Sequence, residues 1–246
     1  MKATTSLATS TTDDVFIRGK SLCQELIGKV TFTEMTYFAV TGKVPSAAQT
    51  AVVDACLVTL AEHGLTPSAI AARLTYGSAP DAMQGAIAAG LAGVGTVFVG
   101  TVEGCAALLA RVVHGEAPEA IALEHKTSQR PIPGFGHPLH KPDDPRPARI
   151  FEVAEAHGIA GPHVGALRAL SIAIDRAYGK HITINATGAI AAALADAGVP
   201  LEIMRGFAIL ARCAGLVAHV REEQTKPAMR AIWAAAEAAV PYDPKA

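Results

Sequence analysis

Apolar residues recur at helical spacing along most of this chain, and the alternation typical of exposed strands is rare. Within 46–62, for example, Val53, Cys56 and Leu60 would line one face of a helix. The helices predicted in this way cover 33–41, 46–62, a segment that begins at Pro67 after the cap Thr66, 82–91, 103–113, 147–157, 162–178, 187–197, 202–222 and 227–239. We therefore expect an all-α fold.

Four stretches depart from the helical pattern. Residues 1–12 are rich in threonine and serine and predict a flexible tail. Residues 96–99 suit either a strand or a buried helix, and 182–184 form a short β-prone piece. Between 126 and 147 prolines, glycines and basic side chains accumulate. A segment of that length within a compact domain predicts an ordered loop with a function of its own.

The composition agrees with a closely packed helical core. The 246 residues are 50% hydrophobic but only 5% aromatic, and small or unbranched apolar side chains favour helices. This is enough apolar material for one large core, or for a core with a smaller lobe. No uninterrupted apolar run reaches the roughly 20 residues of a membrane span, and 1–12 lacks the apolar centre of a secretory signal. We therefore expect a cytoplasmic protein without a membrane partner.

Charge and cysteine usage exclude several classes of function. The 21 basic and 22 acidic residues leave a net charge of -1, which gives no basis for a nucleic-acid surface. Cys23, Cys56, Cys105 and Cys213 lie far apart and form no C-x-x-C pair, and the last three lie in apolar runs typical of a core. No histidines have the spacing of a metal-binding motif, so no metal is expected.

The loop over 131–146 is the most informative segment. Gly134 and Gly136 let the backbone approach a ligand closely and expose its N–H groups. His137 would then place an acid or base beside that ligand. Nearby cations could meet phosphates or carboxylates, namely Arg130, Lys141 and Arg146. The alternative interpretation is a rigid proline turn with solvated charges.

Two further places carry candidate chemistry. Arg205, Arg212 and His219 recur every seven residues on an otherwise apolar, hence buried, helix. A buried arginine needs an anionic partner. That partner is either a ligand or one of the acids Glu202, Glu222 and Glu223, unless the stripe is exposed. His63 follows a helix whose dipole would favour its protonated form, and it either polarises a carbonyl or simply caps the helix.

Several segments resemble motifs of the citrate synthase family, in the family's order. G-F-G-H at 134–137, followed by D-P-R at 144–146, resembles the family signature. Residues 207–219, with F-A-I-L-A-R and then A-H, resemble a later motif. Weaker matches lie at 17–19, 42–45 and 61–74. Together they run from about residue 15 to residue 242, and their combination is specific although each alone is not.

Within this superfamily the chain is most similar to citryl-CoA lyases and to the C-terminal lyase module of ATP-citrate lyase. Phe98 stands where citrate synthases carry a catalytic histidine. The resemblance implies a citrate synthase-like fold with a large helical domain, 1–100 and 206–246, and a smaller helical lid domain, 101–205, that binds CoA. It also implies a homodimer in which Lys226 or Arg230 enters the neighbouring site.

The resemblance also assigns roles to the candidate residues. His63 and His137 would bind the oxo or hydroxyl oxygen of the substrate, and His137 would act as acid and base. Phe98, Arg146 and Arg212 would contact the substrate, the arginines through its carboxylates. A coenzyme A thioester is the expected small-molecule partner, together with an oxo acid. Its adenine, pantetheine and phosphates would meet Arg130, Ile132, Pro133, Gly134, Phe135, Gly136 and Lys180.

One position departs from the lyase pattern. The lyases have an N-V-D-G motif whose aspartate moves the proton at the acetyl carbon of the thioester. Here N-A-T-G at 185–188 places Thr187 at that position. A hydroxyl does not ionise near neutral pH, so it cannot replace a general base that contributes roughly 10²–10⁴-fold.

Three functions remain open. The leading one is a carbon–carbon lyase that cleaves a citryl-CoA-like 3-hydroxyacyl-CoA to acetyl-CoA, or a related acyl-CoA, and an oxo acid. In it, a water held by Thr187 would protonate the enolate. A condensing acyltransferase needs the α-proton abstraction that threonine cannot supply. A non-catalytic or weakly active CoA-thioester-binding protein agrees with Thr187, whereas the retained histidines and arginines argue against it.

Overall fold

A computed structural model describes residues 2–97 and 99–244 and confirms the all-α class. Eleven α-helices follow one another within these residues. They are α1 (Phe32–Thr41), α2 (Ala47–Ala61), α3 (Pro67–Ser78), α4 (Met83–Ala92), α5 (Thr101–Val113), α6 (Pro118–Thr127), α7 (Pro145–Ala156), α8 (Pro162–Tyr178), α9 (Ala186–Asp196), α10 (Met204–Thr225) and α11 (Met229–Ala239). A helical turn at Leu22–Leu26 precedes α1, and another at Leu201–Ile203 leads into α10.

The N-terminal segment differs from the flexible tail that we expected over 1–12. Ala8–Ser10 (β1) pairs antiparallel with Val15–Ile17 (β2), and β2 pairs with Lys20–Ser21 (β3). All three residues of β1 are exposed, so backbone hydrogen bonds rather than burial hold this strand. Threonine and serine suit either a tail or an edge strand, and the pairing partner decides between them.

Most helices begin where the sequence predicts, because their caps are local. Thr31 and Ser46 each form a capping box with the residue three positions later, at the starts of α1 and α2. Proline occupies the first turn of α3, α6, α7 and α8, where its missing N–H costs nothing. These signals require no knowledge of the tertiary structure.

The α6 helix was not predicted. It buries only Ile121, Ala122 and His125, and it packs against α8. One turn of apolar signal among glutamates is too short to identify a helix from periodicity. The ordered loop is consequently shorter than expected, since α6 ends at Thr127 and α7 begins at Pro145. Within the ambiguous stretch 96–99, Thr96 and Val97 form a turn, and a bridge joins Gly95 to Val99.

Helix α9 lies at the centre of the core. Every residue from 186 to 194 except Thr187 is buried, and most of them are alanines. Small side chains let α9 pack closely against α2, α5, α7 and α8 at once. Its N-terminal end is consequently fixed by four neighbouring helices, and this end carries the residues of the site described below.

Helix α10 packs against α2, α3 and α4. By length and composition alone, Leu201–Thr225 could cross a membrane, but half of it is buried inside the fold, as expected for a core helix. Among the described residues, no other helix meets this criterion.

Candidate active site

The end of α2, the loop before α7 and the N-terminal ends of α5 and α9 surround a cavity of about 550 Å³. A concavity of this size is typical of small-molecule sites. Leu60, Val99 and Ile132 contribute apolar surface, and Arg212 of α10 also reaches the cavity. The combination of apolar walls and a few polar groups suits a ligand that has both apolar and polar parts.

Most of the predicted site residues meet at this cavity. They are His63, His137, Arg146, Thr187, Arg212 and the loop residues 132–136. Arg130 instead lines a second cavity of about 410 Å³, which shares Ile132 and Phe135 with the first. Lys180 lines neither cavity, and Phe98 lies outside the described residues. The role of each residue towards a ligand remains a prediction.

The glycine loop is held tightly against the start of α9. Gly134 has φ +88°, and a Cβ there would lie 2.5 Å from Cys105 Sγ, so no larger residue fits without a shift. The N–H of Asn185 donates to Gly134 O at 3.0 Å, and Asn185 Nδ2 donates to Gly136 O at 2.9 Å. The β-prone piece 182–184 contributes one bridge, between Ile184 and Phe135. These contacts pre-organise the loop that was predicted to receive CoA.

Asp144 orients Arg146. The Asp144 side chain is fully buried and caps α7, and its two oxygens accept hydrogen bonds from Arg146 Nε at 2.9 Å and Nη2 at 2.7 Å. It also accepts the N–H of Ala186 at 3.1 Å. Burial alone would raise the pKa of Asp144, but the bonds from Arg146 outweigh it and lower the pKa. The pair therefore stays ionised, with the guanidinium at the cavity.

Three histidine rings converge beside the cavity. The His137 and His140 rings are 4.3 Å apart between centroids, and His63 lies 5.7 Å from His137 and 6.1 Å from His140. One ring nitrogen from each lies within 4.8 Å of the others. The resemblance predicted that His63 and His137 meet at one oxygen of the substrate, but it gave His140 no role beside them.

The tautomer of His137 follows from its hydrogen bonds. Its Nδ1 accepts the backbone N–H of Leu139 at 3.2 Å and that of His140 at 3.0 Å. A neutral His137 ring therefore carries its proton on Nε2 and is a hydrogen-bond donor on that side. Burial first, and then the neighbouring His140 and Arg146, lower the pKa of His137, so the ring is neutral near pH 7.

The protonation state of His63 differs from our expectation that the helix dipole would favour the charged form. His63 lies beyond the last residue of α2, with Glu62 between. Burial first, and then Arg146, lower its pKa. Desolvation of the ring and the guanidiniums of Arg146 and Arg212 thus outweigh the dipole at the end of α2. His63 is therefore a neutral imidazole at physiological pH.

Arg212 is buried without an ionic partner. Its relative exposure is 4%, and Nε and Nη1 have no hydrogen-bond partner among the described residues. Glu222 and Glu223, which we considered as structural partners, instead bind Arg73. Burial lowers the pKa of Arg212, yet a guanidinium stays charged at any physiological pH. Glu62 is a charged neighbour that favours the ionised guanidinium, but the two form no ion pair among the described residues, so Arg212 can still bind an anion at the cavity.

Glu62 and His219 support the segment that carries His63. Glu62 Oε1 accepts the backbone N–H of His63 at 2.7 Å and of Gly64 at 2.6 Å. His219 Nε2 lies 3.0 Å from Glu62 Oε2, and its Nδ1 accepts a bond from Arg73 at 2.9 Å. Although burial raises the pKa of Glu62, His219 and the N–H donors lower it overall. Its carboxylate therefore fixes the His63 backbone.

Thr187 belongs to a chain of neutral hydrogen bonds. It occupies the first turn of α9 and donates to Asn185 Oδ1 at 2.7 Å, and it accepts a bond from Thr101 at 2.9 Å. Because its proton is used within the protein, the hydroxyl offers the cavity only a lone pair. The segment N-A-T-G at 185–188 itself contains no carboxylate.

Sequence reasoning assigned no role to Asp144, Glu62 or His140. Asp144 lies in the D-P-R segment, and an N-cap acid followed by proline and arginine was an available signal. Glu62 precedes a candidate histidine, but its bond to His219 is a tertiary contact. His140 became a candidate only when the fold placed His63 beside it.

The chain belongs to the citrate synthase family, since the model of the citrate synthase C-terminal domain matches residues 31–233. Its structure is similar to that of citryl-CoA lyase from Hydrogenobacter thermophilus, with a TM-score of 0.85 and 32% identity over 91% of this chain and 88% of that one. The suspected relationship and the citrate synthase-like all-α fold are thereby confirmed.

Two further relatives set the range of the similarity. The 2-methylcitrate synthase of Shewanella oneidensis is 28% identical over 187 residues, which cover 75% of this chain but 49% of that protein. This chain thus spans about half the length of that curated relative. ATP citrate lyase from Methanothrix soehngenii, solved with citrate and coenzyme A, shares the fold with a TM-score of 0.80 at 19% identity, over 92% of this chain and 39% of that one.

Proposed function

We propose that the protein is a carbon–carbon lyase that cleaves a citryl-CoA-like 3-hydroxyacyl-CoA into an acyl-CoA and an oxo acid. The observation that carries this proposal is the unpaired, buried guanidinium of Arg212 at the same cavity as His63 and His137. A cation without a partner calls for a carboxylate, and neutral imidazoles suit an oxo or hydroxyl oxygen. Similarity to citryl-CoA lyase supports the same reaction class.

In this reaction the carboxylates of the substrate bind Arg212 and Arg146, and its hydroxyl oxygen meets the histidines. Loss of the hydroxyl proton lets the carbon–carbon bond break, which leaves an oxo acid and a CoA enolate. His137 Nε2–H donates to the oxo oxygen, a role that suits a neutral ring. Water beside the lone pair of Thr187 protonates the enolate carbon and completes the acyl-CoA.

Coenzyme A binds in this proposal along the glycine loop. Ile132 and Phe135 line both cavities, so a long ligand can extend from the histidines to the cavity that holds Arg130. Arg130 already pairs with Glu124 at 2.7 Å, and a phosphate there would compete with that carboxylate. Lys180 lines neither cavity, so the cavities give its predicted phosphate contact no support.

A second candidate function is a CoA-thioester-binding protein without turnover. Thr187 favours it, because a hydroxyl already committed to Asn185 cannot abstract or deliver a proton as the family aspartate would. A condensing acyltransferase is weaker still, since it requires that abstraction. Incubation with a panel of 3-hydroxyacyl-CoAs, with release of free acyl-CoA measured by chromatography, separates these functions. Binding without release would exclude the lyase.

We also propose that the protein forms a homodimer, through exposed apolar residues of α10, of α11 and of the segment that follows α11. These are Leu210, Val217, Trp233, Val240 and Tyr242. No residue of α11 is buried, although the helix is amphipathic, which suits a second copy as its cover. Light scattering should give twice the mass of the 25.3 kDa chain, and Trp233→Lys should halve it.

A further inference from the structure

We propose that His140 is a third catalytic residue of this site and takes the hydroxyl proton of the substrate when the carbon–carbon bond breaks. The proposal rests on the lyase function proposed above. It concerns a residue that the family resemblance left without a role.

The three rings can contact a single oxygen atom. An oxygen among three nitrogens that lie at most 4.8 Å apart can be within about 2.8 Å of each, which is a hydrogen-bond distance. The hydroxyl oxygen of a 3-hydroxyacyl-CoA is such an atom. His140 then meets the same oxygen as His63 and His137.

His137 cannot be the acceptor of the hydroxyl proton in its neutral state. Its Nδ1 lone pair receives two backbone N–H groups, one of them from His140 itself. Its Nε2 carries the proton, so neither nitrogen has a free lone pair. The group that takes the proton has to be another ring.

His140 suits that role better than His63. Neither ring is hydrogen-bonded to another described residue, so both offer a free nitrogen. Burial first, and then Arg146, His140 and Arg212, lower the pKa of His63, so a proton held there is desolvated and faces two guanidiniums. His140 lies against the His137 ring at 4.3 Å, beside the donor that binds the same oxygen. One residue thus fixes the tautomer of His137 and supplies the base next to it.

A metal ion is the rival occupant of three converging histidines. A neutral His137 offers no lone pair to a metal, and the guanidiniums of Arg146 and Arg212 repel a cation while they attract a carboxylated ligand. The charges and the hydrogen bonds therefore favour an oxygen of the substrate over a metal.

The step balances within the site. The hydroxyl proton moves to His140, the oxygen electrons form the oxo group, and the broken carbon–carbon pair becomes the CoA enolate. His137 Nε2–H and His63 stabilise the developing charge on the oxygen. Water supplies the proton that the enolate takes, and His140 returns its proton to solvent, so the net reaction consumes no other reagent.

The test compares His140→Gln with wild type, because glutamine keeps a hydrogen-bonding side chain but cannot accept a proton near neutral pH. We expect kcat to fall roughly 10²–10⁴-fold with little change in KM. The acidic limb of the kcat/KM profile should disappear, and added imidazole should partly restore His140→Ala. His157→Gln, on an exposed histidine, is the matched control and should behave as wild type.

Three results would overturn the proposal. One is a His140→Gln enzyme with the wild-type kcat and acidic limb, and a second is loss of that limb in His63→Gln alone. The third is activity that EDTA removes and Zn²⁺ restores, which would identify a metal site.

If the wild type cleaves none of the thioesters tested, the lyase function fails independently of His140. Ring ¹⁵N chemical shifts, measured with and without oxaloacetate, then test whether His140 contacts the ligand. A shift at His140 together with His137 supports the contact, and an unmoved His140 refutes it.

Discussion

Thr101 donates a hydrogen bond to Thr187 at 2.9 Å, and this bond joins the first turn of α5 to the first turn of α9. Thr187 in turn donates a hydrogen bond from its hydroxyl to Asn185 Oδ1. The pair lies at the position where the sequence predicts that the lyase aspartate is missing. It is a neutral arrangement in which both hydroxyl protons are used within the protein.

Replacing Thr187 with Asp should restore the missing base. The carboxylate would lie in the first turn of α9, where the helix dipole stabilises it by about 0.3–1 kcal/mol, and Thr101 would donate to it. We expect acetyl-CoA release from citryl-CoA to rise by about 10²-fold, the lower part of the range for a positioned base. Thr187→Asn is the control of similar size. A folded Asp variant no faster than the Asn variant would refute this assignment.

Replacing Arg212 with Met should separate stability from binding. The unliganded protein loses a buried charge that has no partner, so its melting temperature should stay the same or rise. Affinity for an oxo diacid should fall about 10–100-fold, since a hydrogen bond to a charged group contributes roughly 1.5–3 kcal/mol. Thermal unfolding with and without oxaloacetate measures both. Arg149→Met, which removes an exposed cation paired with Glu152, should change neither. A ligand-induced shift that survives Arg212→Met would contradict the anion site.

Gly134→Ala should destabilise the fold by about 2–5 kcal/mol. The left-handed backbone costs an alanine roughly 1–2 kcal/mol, and the clash with Cys105 adds an overpacking cost of about 1–3 kcal/mol. In urea unfolding, a Cys105→Ala background should recover only part of the overpacking cost, because Gly188 Cα at 3.0 Å and the Cβ of residue 105 at 3.1 Å stay close. Gly115→Ala has a similar φ of +99° with open space around it and should cost only the first. Equal losses at the two glycines would show that Cys105 does not limit the loop.

Acid should destabilise the site through its histidines. The pKa values of His63 and His137 are lowered from about 6.5 in the folded state, so the unfolded chain binds more protons between the folded pKa and 6.5. The free energy of unfolding therefore falls as the pH drops below 6.5. A His63→Gln, His137→Gln double variant should lose less stability than wild type between pH 6.5 and 5.

His181 should change the pH dependence of stability in the opposite direction to His63 and His137. Asp175 first, and then Asp143, raise its pKa, so its stabilisation is complete below 6.5 and is lost as the pH rises through the folded pKa. His181→Gln should therefore weaken the protein at pH 6 more than at pH 9 in denaturant titrations. If both sets of variants change the pH dependence in the same direction, the assigned shifts are wrong.

Glu62→Ala should loosen the His63 segment without unfolding the protein. Two backbone N–H groups lose their acceptor, so hydrogen exchange at His63 and Gly64 should accelerate. On a substrate that is cleaved, turnover should fall by about tenfold or more, since small displacements of a catalytic group are costly. Glu62→Gln keeps one acceptor oxygen and should be milder. Unchanged exchange in Glu62→Ala would show that another contact holds the segment.

The sequence predicted most of the helices because their caps and periodicity are local. Pro67 and Ser46 mark helix starts without reference to any neighbour. The short α6, with one buried turn, and the strand β1, which depends on its pairing partner, lack such signals. Tertiary contacts stabilise these two elements, so the periodicity of the sequence does not predict them.

The site was predictable where glycine and charge are required on physical grounds. Gly134 has a left-handed backbone in a crowded position, and Arg212 is a cation on a buried helix face, so both were recognisable. His140 and the carboxylate of Glu62 gain their meaning only from residues far away in the chain. The lowered pKa values of His63 and His137 likewise depend first on burial and then on neighbours such as His140 and Arg146, and sequence spacing places none of these contacts.

Glu223 connects the end of the chain to the histidine site. One of its oxygens accepts the N–H groups of Ala228 and Met229, and the other pairs with Arg73. Arg73 also binds His219, which faces the carboxylate that holds the His63 backbone. The short link between α10 and α11 is therefore connected to the segment that carries His63. We expect an insertion in the link to displace His63, although no residue of the link lines the cavity.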